Sequence, residues 1–294
     1  MKFGFLQVDG KLPNLALMQI CGFHEAMLQE CEWYKGPLFA HEYAMVYASK
    51  IFSFSRMPEL PVHSMIGGTG IDFTNALPEA FATAEPSYSL YPDCDYHIGF
   101  SMKGCRLRCK FCCVPQKEGK PRFNSTITNL LTNPRGGNRL MLLDNDFFGT
   151  EFWKENLETI IELDLRVCFA QGLNIRIITD EQATLLSQCR FQSANFNHHY
   201  VTFAWDNYRD KQRVIDGIDR CVRAGIQPKQ MQFFVLIGFD TTPEQDLERV
   251  TMLRDRGCMP YVMPFNRADP YQAKFTRWVN HRAIFKTVEW SDYR

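Results

Sequence analysis

From about residue 96 to the end of the chain, short β-branched or aromatic runs alternate with helical patterns, and few architectures can absorb that alternation. Six βα units can be counted. Strands are expected at residues 96–100, 139–144, 166–170, 200–206, 231–238 and 260–263. Helix signals fall between them. Thr150 is the expected N-cap of a helix over 150–164, and Thr179 with Gln182 three residues later forms a capping box. After the fourth strand, Val214, Ile218, Cys221 and Val222 share one helical face, which stops at Gly225. Thr242-Pro-Glu-Gln245 opens the next helix with Pro243 in its first turn, Gly257 ends it, and residues 271–285 supply the last helix. Six units in roughly 200 residues fit an α/β chain folded as a partial (β/α)6 TIM-like barrel better than a complete eight-fold one of about 250. In such a barrel the loops at the C-terminal ends of the strands carry the chemistry.

Residues 1–90 read differently. A strand over 2–8, a helix over 14–30, a strand over 44–49 and another ending at Ile66 describe a small α/β, Rossmann-like N-terminal domain, so 91–294 form the second domain. Pro78 to Pro92, with Ser, Asp and Tyr interspersed, is the expected linker. Ile66-Gly-Gly-Thr-Gly70 lacks the Gly-Lys-Ser/Thr ending of a phosphate loop, and Phe73 stands where GxGxxG needs its last glycine. It is therefore read as a tight strand-end turn.

Directly after the first expected barrel strand comes Ser101-Met-Lys-Gly-Cys105-Arg-Leu-Arg-Cys109-Lys-Phe-Cys112. Three thiolates leave a tetrahedral metal site, or a [4Fe–4S] cubane, one ligand short, and an open position separates catalytic metal sites from structural ones. Zinc would call for a second short-spaced pair, and no second CxxC or HxxxH occurs. Chance packing of three of the 11 cysteines is opposed by Arg106, Arg108 and Lys110, which suit thiolates and not an apolar core. A ferredoxin-like electron carrier, or a structural metal module, would recruit Cys113 or Cys94 as the fourth ligand. Adjacent Cys112 and Cys113 tend to point apart in an extended loop, so Cys113 is read as a packing residue.

The spacing of Cys105, Cys109 and Cys112, with the aromatic Phe111 before the last, resembles the radical S-adenosylmethionine (SAM) superfamily. The resemblance implies a [4Fe–4S] cluster on the three cysteines, SAM on the open iron, backbone near Phe111 against adenine, and a flavodoxin- or ferredoxin-type reductant. Reductive cleavage of SAM would then give methionine and a 5′-deoxyadenosyl radical that abstracts hydrogen from substrate. Residues 1–90 resemble the cobalamin-binding-like domain of one subgroup, with Ser49-Lys-Ile and Gly67-Gly68 in place of its serine and double-glycine segments. The DxHxxG motif is missing, and His24, His41 and His63 are read as structural, so the expectation is a reduced domain that has lost cobalamin. A cobalamin-dependent radical methylase is the rival reading.

Strand-end polar groups complete the candidate site. Asp144, Asn145 and Asp146 stand where the family often carries Gly-Gly-Glu, and either accept the SAM ammonium or form a turn that caps the next helix. Arg176 suits a carboxylate unless Asp180 or Glu181 engages it, while Gln171 or Asn174 reaches a ribose hydroxyl. Asp206 and Gly238 end the fourth and fifth strands, and Phe265, Asn266 and Arg267 complete the rim; Trp205 is read as packing. Equal numbers of acidic and basic residues, 33 each, give no global field for nucleic acid. The local run Lys117, Lys120, Arg122, Arg135 and Arg139 keeps a nucleobase or nucleic-acid substrate open beside a small molecule or nucleoside. No apolar stretch reaches the roughly 18 residues of a membrane span, and the apolar start is too short for a signal peptide, so the expected place is the cytoplasm, with no membrane partner.

Overall fold

In the computed structural model, which describes residues 2–294, all the strands of the three larger sheets run parallel. The first sheet is built from β1 (Lys2–Gln7), β2 (Glu30–Trp33), β3 (Tyr43–Ser49) and β4 (Ser64–Gly67), in the order β2-β1-β3-β4. Helix α1 (Leu15–Ala26) starts where the Asn14 side chain accepts the Leu17 N–H at 3.2 Å, and it buries Leu17, Met18, Ile20 and Cys21. It ends short of residue 30 because Leu28 takes a left-handed φ of 60° and the chain turns into β2. That edge strand is only four residues long, Glu-Cys-Glu-Trp, and follows directly on the helical pattern, too short a run to stand out as a strand.

The expected linker is packed. It contains α2 (Glu79–Ala82) and buries Tyr88 and Leu90. The Leu90 carbonyl accepts the Trp33 indole N–H at 2.9 Å, and the Tyr91 hydroxyl accepts the Asn14 N–H at 3.1 Å. Met18 on α1 packs with Tyr88, Ile98 and Met141, so one helix belongs to the cores of both halves.

The second half begins with β5 (His97–Gly99), then the two-residue antiparallel pair β6 (Met102–Lys103) and β7 (Arg122–Phe123), with α3 (Val114–Lys117) between them. Next come β8 (Arg139–Leu142), α4 (Trp153–Glu162), β9 (Arg166–Phe169), α5 (Asp180–Gln188) and β10 (Arg190–Phe191). The chain finishes with β11 (Val201–Ala204), α6 (Lys211–Arg223), β12 (Met231–Ile237), α7 (Pro243–Asp255), β13 (Met259–Pro264), α8 (Pro270–Asn280) and α9 (Arg282–Thr287). The strands form two parallel sheets, β10-β9-β8-β5 and β11-β12-β13. A single parallel bridge, Leu173 to Phe203, joins them. β10 and β11 follow one another beside β9: Phe191 pairs with Val167 low on the strand, and Phe203 meets Leu173 beyond its end.

The six expected strands are present, five with ends trimmed by one or two residues and the sixth longer by one residue at each end, and β6, β7 and β10 are additional. Both capping boxes form, Thr179 with Gln182 and Thr242 with Gln245. Phe203 and Phe233 face each other at 5.6 Å in the main core, and burying such a ring stabilises by about 1.5–3 kcal/mol. Three local expectations are corrected. Thr150 is extended and does not cap α4, because a 3-10 turn at Phe147–Gly149 buries two phenylalanines just ahead of it. Val222 is 43% exposed: it sits one position beyond Cys221, past the edge of the face that buries Val214 and Ile218. The last helix breaks at His281, because the Asn280 side chain pairs with both the N–H and the carbonyl of Val262 in β13, at 2.8 and 3.0 Å. Among the described residues no helix is long and apolar enough to cross a membrane.

Candidate functional site

The three cysteines lie on an 18-residue excursion, 104–121, whose ends are zipped together by β6 and β7. Gly104 makes the turn into it with φ of 85°, and a Cβ there would come within 2.2 Å of the Lys120 carbonyl oxygen, so only glycine fits. The Cys105 N–H then reaches the Gly119 carbonyl at 3.2 Å.

The segment after β8 holds this excursion in place. Asp144 accepts from the Ser101 N–H at 2.8 Å and from the Ser101 hydroxyl. Asp146 accepts three times from Arg106: the backbone N–H at 3.0 Å, Nε at 2.8 Å and Nη2 at 2.9 Å. The Asn145 amide donates to Glu118 Oε2 at 3.0 Å, which also accepts the Gly104 N–H at 2.8 Å. The helix-capping expectation for this triplet is thereby corrected. Asp144 lies outside the cavity with its oxygens already occupied, and none of the three caps α4. All three make contacts that anchor the cysteine excursion, and Glu118, Arg106 and Ser101 are partners that no local spacing reveals.

Around the cysteines is a cavity of about 260 Å³ at the C-terminal ends of β8, β9 and β11. Cys105, Cys109, Cys112 and Phe111 line it together with Asn145, Asp146, Gln171, Asn174, Arg176 and Asp206. It continues at Cys109, Phe111, Arg176 and Asp206 into an outer cleft of about 730 Å³, within the roughly 300–1,000 Å³ of small-molecule sites. Gly238 lines neither. Its φ is 74° and Gln272 packs where its side chain would be, so it serves the packing of α8. Phe265 and Phe239 meet at 4.9 Å, and Phe239 meets Phe111 at 5.5 Å, giving the cleft an aromatic side. Arg267 turns away to lie 5.0 Å over the Phe54 ring.

The electrostatics favour a ligand with both hydrogen-bond acceptors and charge. Arg176 donates to Asp210 at 2.6 Å and to Asn174 Oδ1 at 3.0 Å, so its ion-pair partner is Asp210 rather than Asp180 or Glu181. Asp180 is taken by Arg220 instead. The Asn174 amide nitrogen is buried and has no hydrogen-bond partner, an arrangement that costs free energy until a ligand accepts from it. Burial raises the Asp206 carboxyl above its ordinary range, with the Leu236 N–H and the Arg249 and Arg176 guanidiniums opposing. Burial pushes the Cys105 thiol up to about 11 and raises Cys109 and Cys112; beside Cys109 the Arg176 guanidinium partly offsets it. A metal on these sulfurs must therefore displace protons.

The sulfurs are also spread out. Among the described residues, the three-membered group of ligand atoms lying within 4.8 Å of one another is Cys21, Glu25 and Cys31, and the excursion's cysteines do not form one. Three cysteines would leave one iron of a [4Fe–4S] cluster, which ordinarily takes four thiolates, without a protein ligand.

In the N-terminal half, Ser49 Oγ accepts the Asn14 amide at 2.8 Å, and Gly68, with φ of 102°, makes the strand-end turn against the Lys50 backbone. The cavity beside them measures about 230 Å³. His24 bonds Tyr47 at 2.8 Å and Gln29 at 2.6 Å and has no nitrogen left for a metal. Comparisons with protein-family models, with curated proteins and with solved structures find no match to this chain.

Proposed function

We propose that this chain is a radical SAM enzyme, with residues 91–294 forming a partial (β/α)6 barrel and Cys105, Cys109 and Cys112 holding a [4Fe–4S] cluster. One observation carries the reading: the three thiols share a cavity with Arg176, Asp206 and the unpartnered amide of Asn174. Cluster and SAM together would supply a 5′-deoxyadenosyl radical for hydrogen abstraction. The chain's own residues bind and shield. Asn174 donates to an acceptor on SAM, Asn145 and Gln171 offer further polar contacts, and Phe111 with Phe239 excludes water from one side. Arg176 contributes positive charge on the face turned from Asp210. The substrate enters through the outer cleft, where Arg108, Lys110 and Arg209 stand near Asp240, so a polar molecule carrying charge is expected. In the basic run, Arg139 is paired with Asp95 and Lys117 donates to Thr69 at 2.8 Å.

The test is anaerobic iron–sulfur reconstitution of the full chain, followed by dithionite and SAM. Formation of 5′-deoxyadenosine and methionine supports the proposal; an intact cluster that yields none overturns it. Alanine at Cys105, Cys109 or Cys112 is expected to abolish cluster and cleavage together, whereas Cys113→Ala leaves the iron in place.

A further inference from the structure

A second group of ligating side chains lies in the N-terminal half, remote in sequence from the excursion. Cys21 and Glu25 are one turn apart on α1 and so face the same way. Cys31 comes from the edge strand β2, where it pairs with Phe3. The two sulfurs and a carboxylate oxygen all lie within 4.8 Å of one another, and Cys21 Sγ is 3.5 Å from Glu25 Oε1. Tetrahedral zinc, with bonds of about 2.3 Å to sulfur and about 2.1 Å to oxygen, separates those two ligands by about 3.6 Å. Ser89, from the packed segment before β5, donates to Glu25 Oε1 at 2.6 Å and lies 3.4 Å from Cys21 Sγ. It thus holds the carboxylate as outer-sphere partners of metal ligands do.

We propose that Cys21, Glu25 and Cys31 bind one borderline-soft divalent cation of the zinc class, with the fourth position left to water. The chemistry narrows the choice. Two thiolates exclude magnesium and calcium, which take oxygen ligands. A disulfide would use the sulfurs but gives no role to the carboxylate beside them, whereas a divalent cation engages all three groups, displaces the two thiol protons and offsets two of the three negative charges. Glu25 and Cys31 are both only partly buried, so an ion can reach the site from solvent. Bound there, it ties α1, the β2 edge and the Ser89 segment together without touching the proposed radical chemistry.

The experiment uses the reconstituted full chain, zinc alone as the probe, and elemental counting of zinc and iron on the same sample. One zinc per chain beside unchanged iron is expected. Cys31→Ser and Glu25→Gln should each remove it while iron and the circular dichroism spectrum stay constant, and Ser89→Ala should weaken it about 10–100-fold. Cobalt substitution should give a thiolate charge-transfer band in the wild type that Cys31→Ser lacks. No zinc retained, zinc indifferent to Cys31→Ser, or a Cys21–Cys31 disulfide in anaerobically prepared protein overturns the proposal.

Discussion

Asn174 is the residue whose environment asks most plainly for a ligand, since its amide nitrogen is buried without an acceptor while its oxygen is used by Arg176. Asn174→Ala should raise the KM for SAM about tenfold, the worth of one hydrogen bond of about 1–1.5 kcal/mol, with iron content unchanged. Single-turnover assays on iron-matched samples check it. Asp144 makes a different prediction. Burial pushes its carboxyl up to about 7 from an ordinary 3.8, so the folded chain keeps a proton that the unfolded chain releases between those values. The stability this contributes is full below pH about 4 and lost as pH rises through about 7. Asp144→Asn should flatten the stability profile across that window, read from denaturant melts at several pH values. At this scale the sequence showed which residues were polar and at strand ends, but not their partners. Arg176 was legible as a cation, and Asp210, 34 positions on, was not, because an ion pair across two loops leaves no periodicity.

The excursion 104–121 behaves as one element even though little of it is regular. Its fixity comes from Gly104 at the turn, the β6–β7 zipper and the Asp144, Glu118 and Asp146 contacts. Asp146→Ala should therefore lower the iron retained after reconstitution several-fold with little change in overall secondary structure, measured by iron counting and circular dichroism. Thr242→Ala removes a complete capping box from α7 and is expected to cost about 1 kcal/mol in an equilibrium melt. Helix starts of that kind were readable because both partners lie within four residues. The α4 start was not, since buried Phe147 and Phe148 displaced the local preference of Thr150, and β2 was missed because its four residues follow directly on a helical pattern.

Across the whole molecule, alternation of strands and helices foretold parallel sheets, and the order of expected elements told the halves apart. Their sharing of α1 could not, because Met18 gives no sign of which core it will join. Within the larger half, Arg249 is fully buried and donates to the carbonyls of Trp205 and Leu236, each at 2.8 Å, and to Asp246 at 2.7 Å, so it locks α7 to the ends of β11 and β12. Asp246→Ala would remove its ion-pair partner, leaving the more distant Asp206 as the carboxylate in its field, and should destabilise by about 3 kcal/mol in a chemical melt. The anchoring of the cysteine excursion also fixes an order of events in time. Asp144 and Asp146 lie 43 and 40 residues beyond their partners Ser101 and Arg106. A growing chain that has exposed Cys112 but not yet β8 thus carries three unheld thiols, and metal delivered at that stage meets a loop without its final shape.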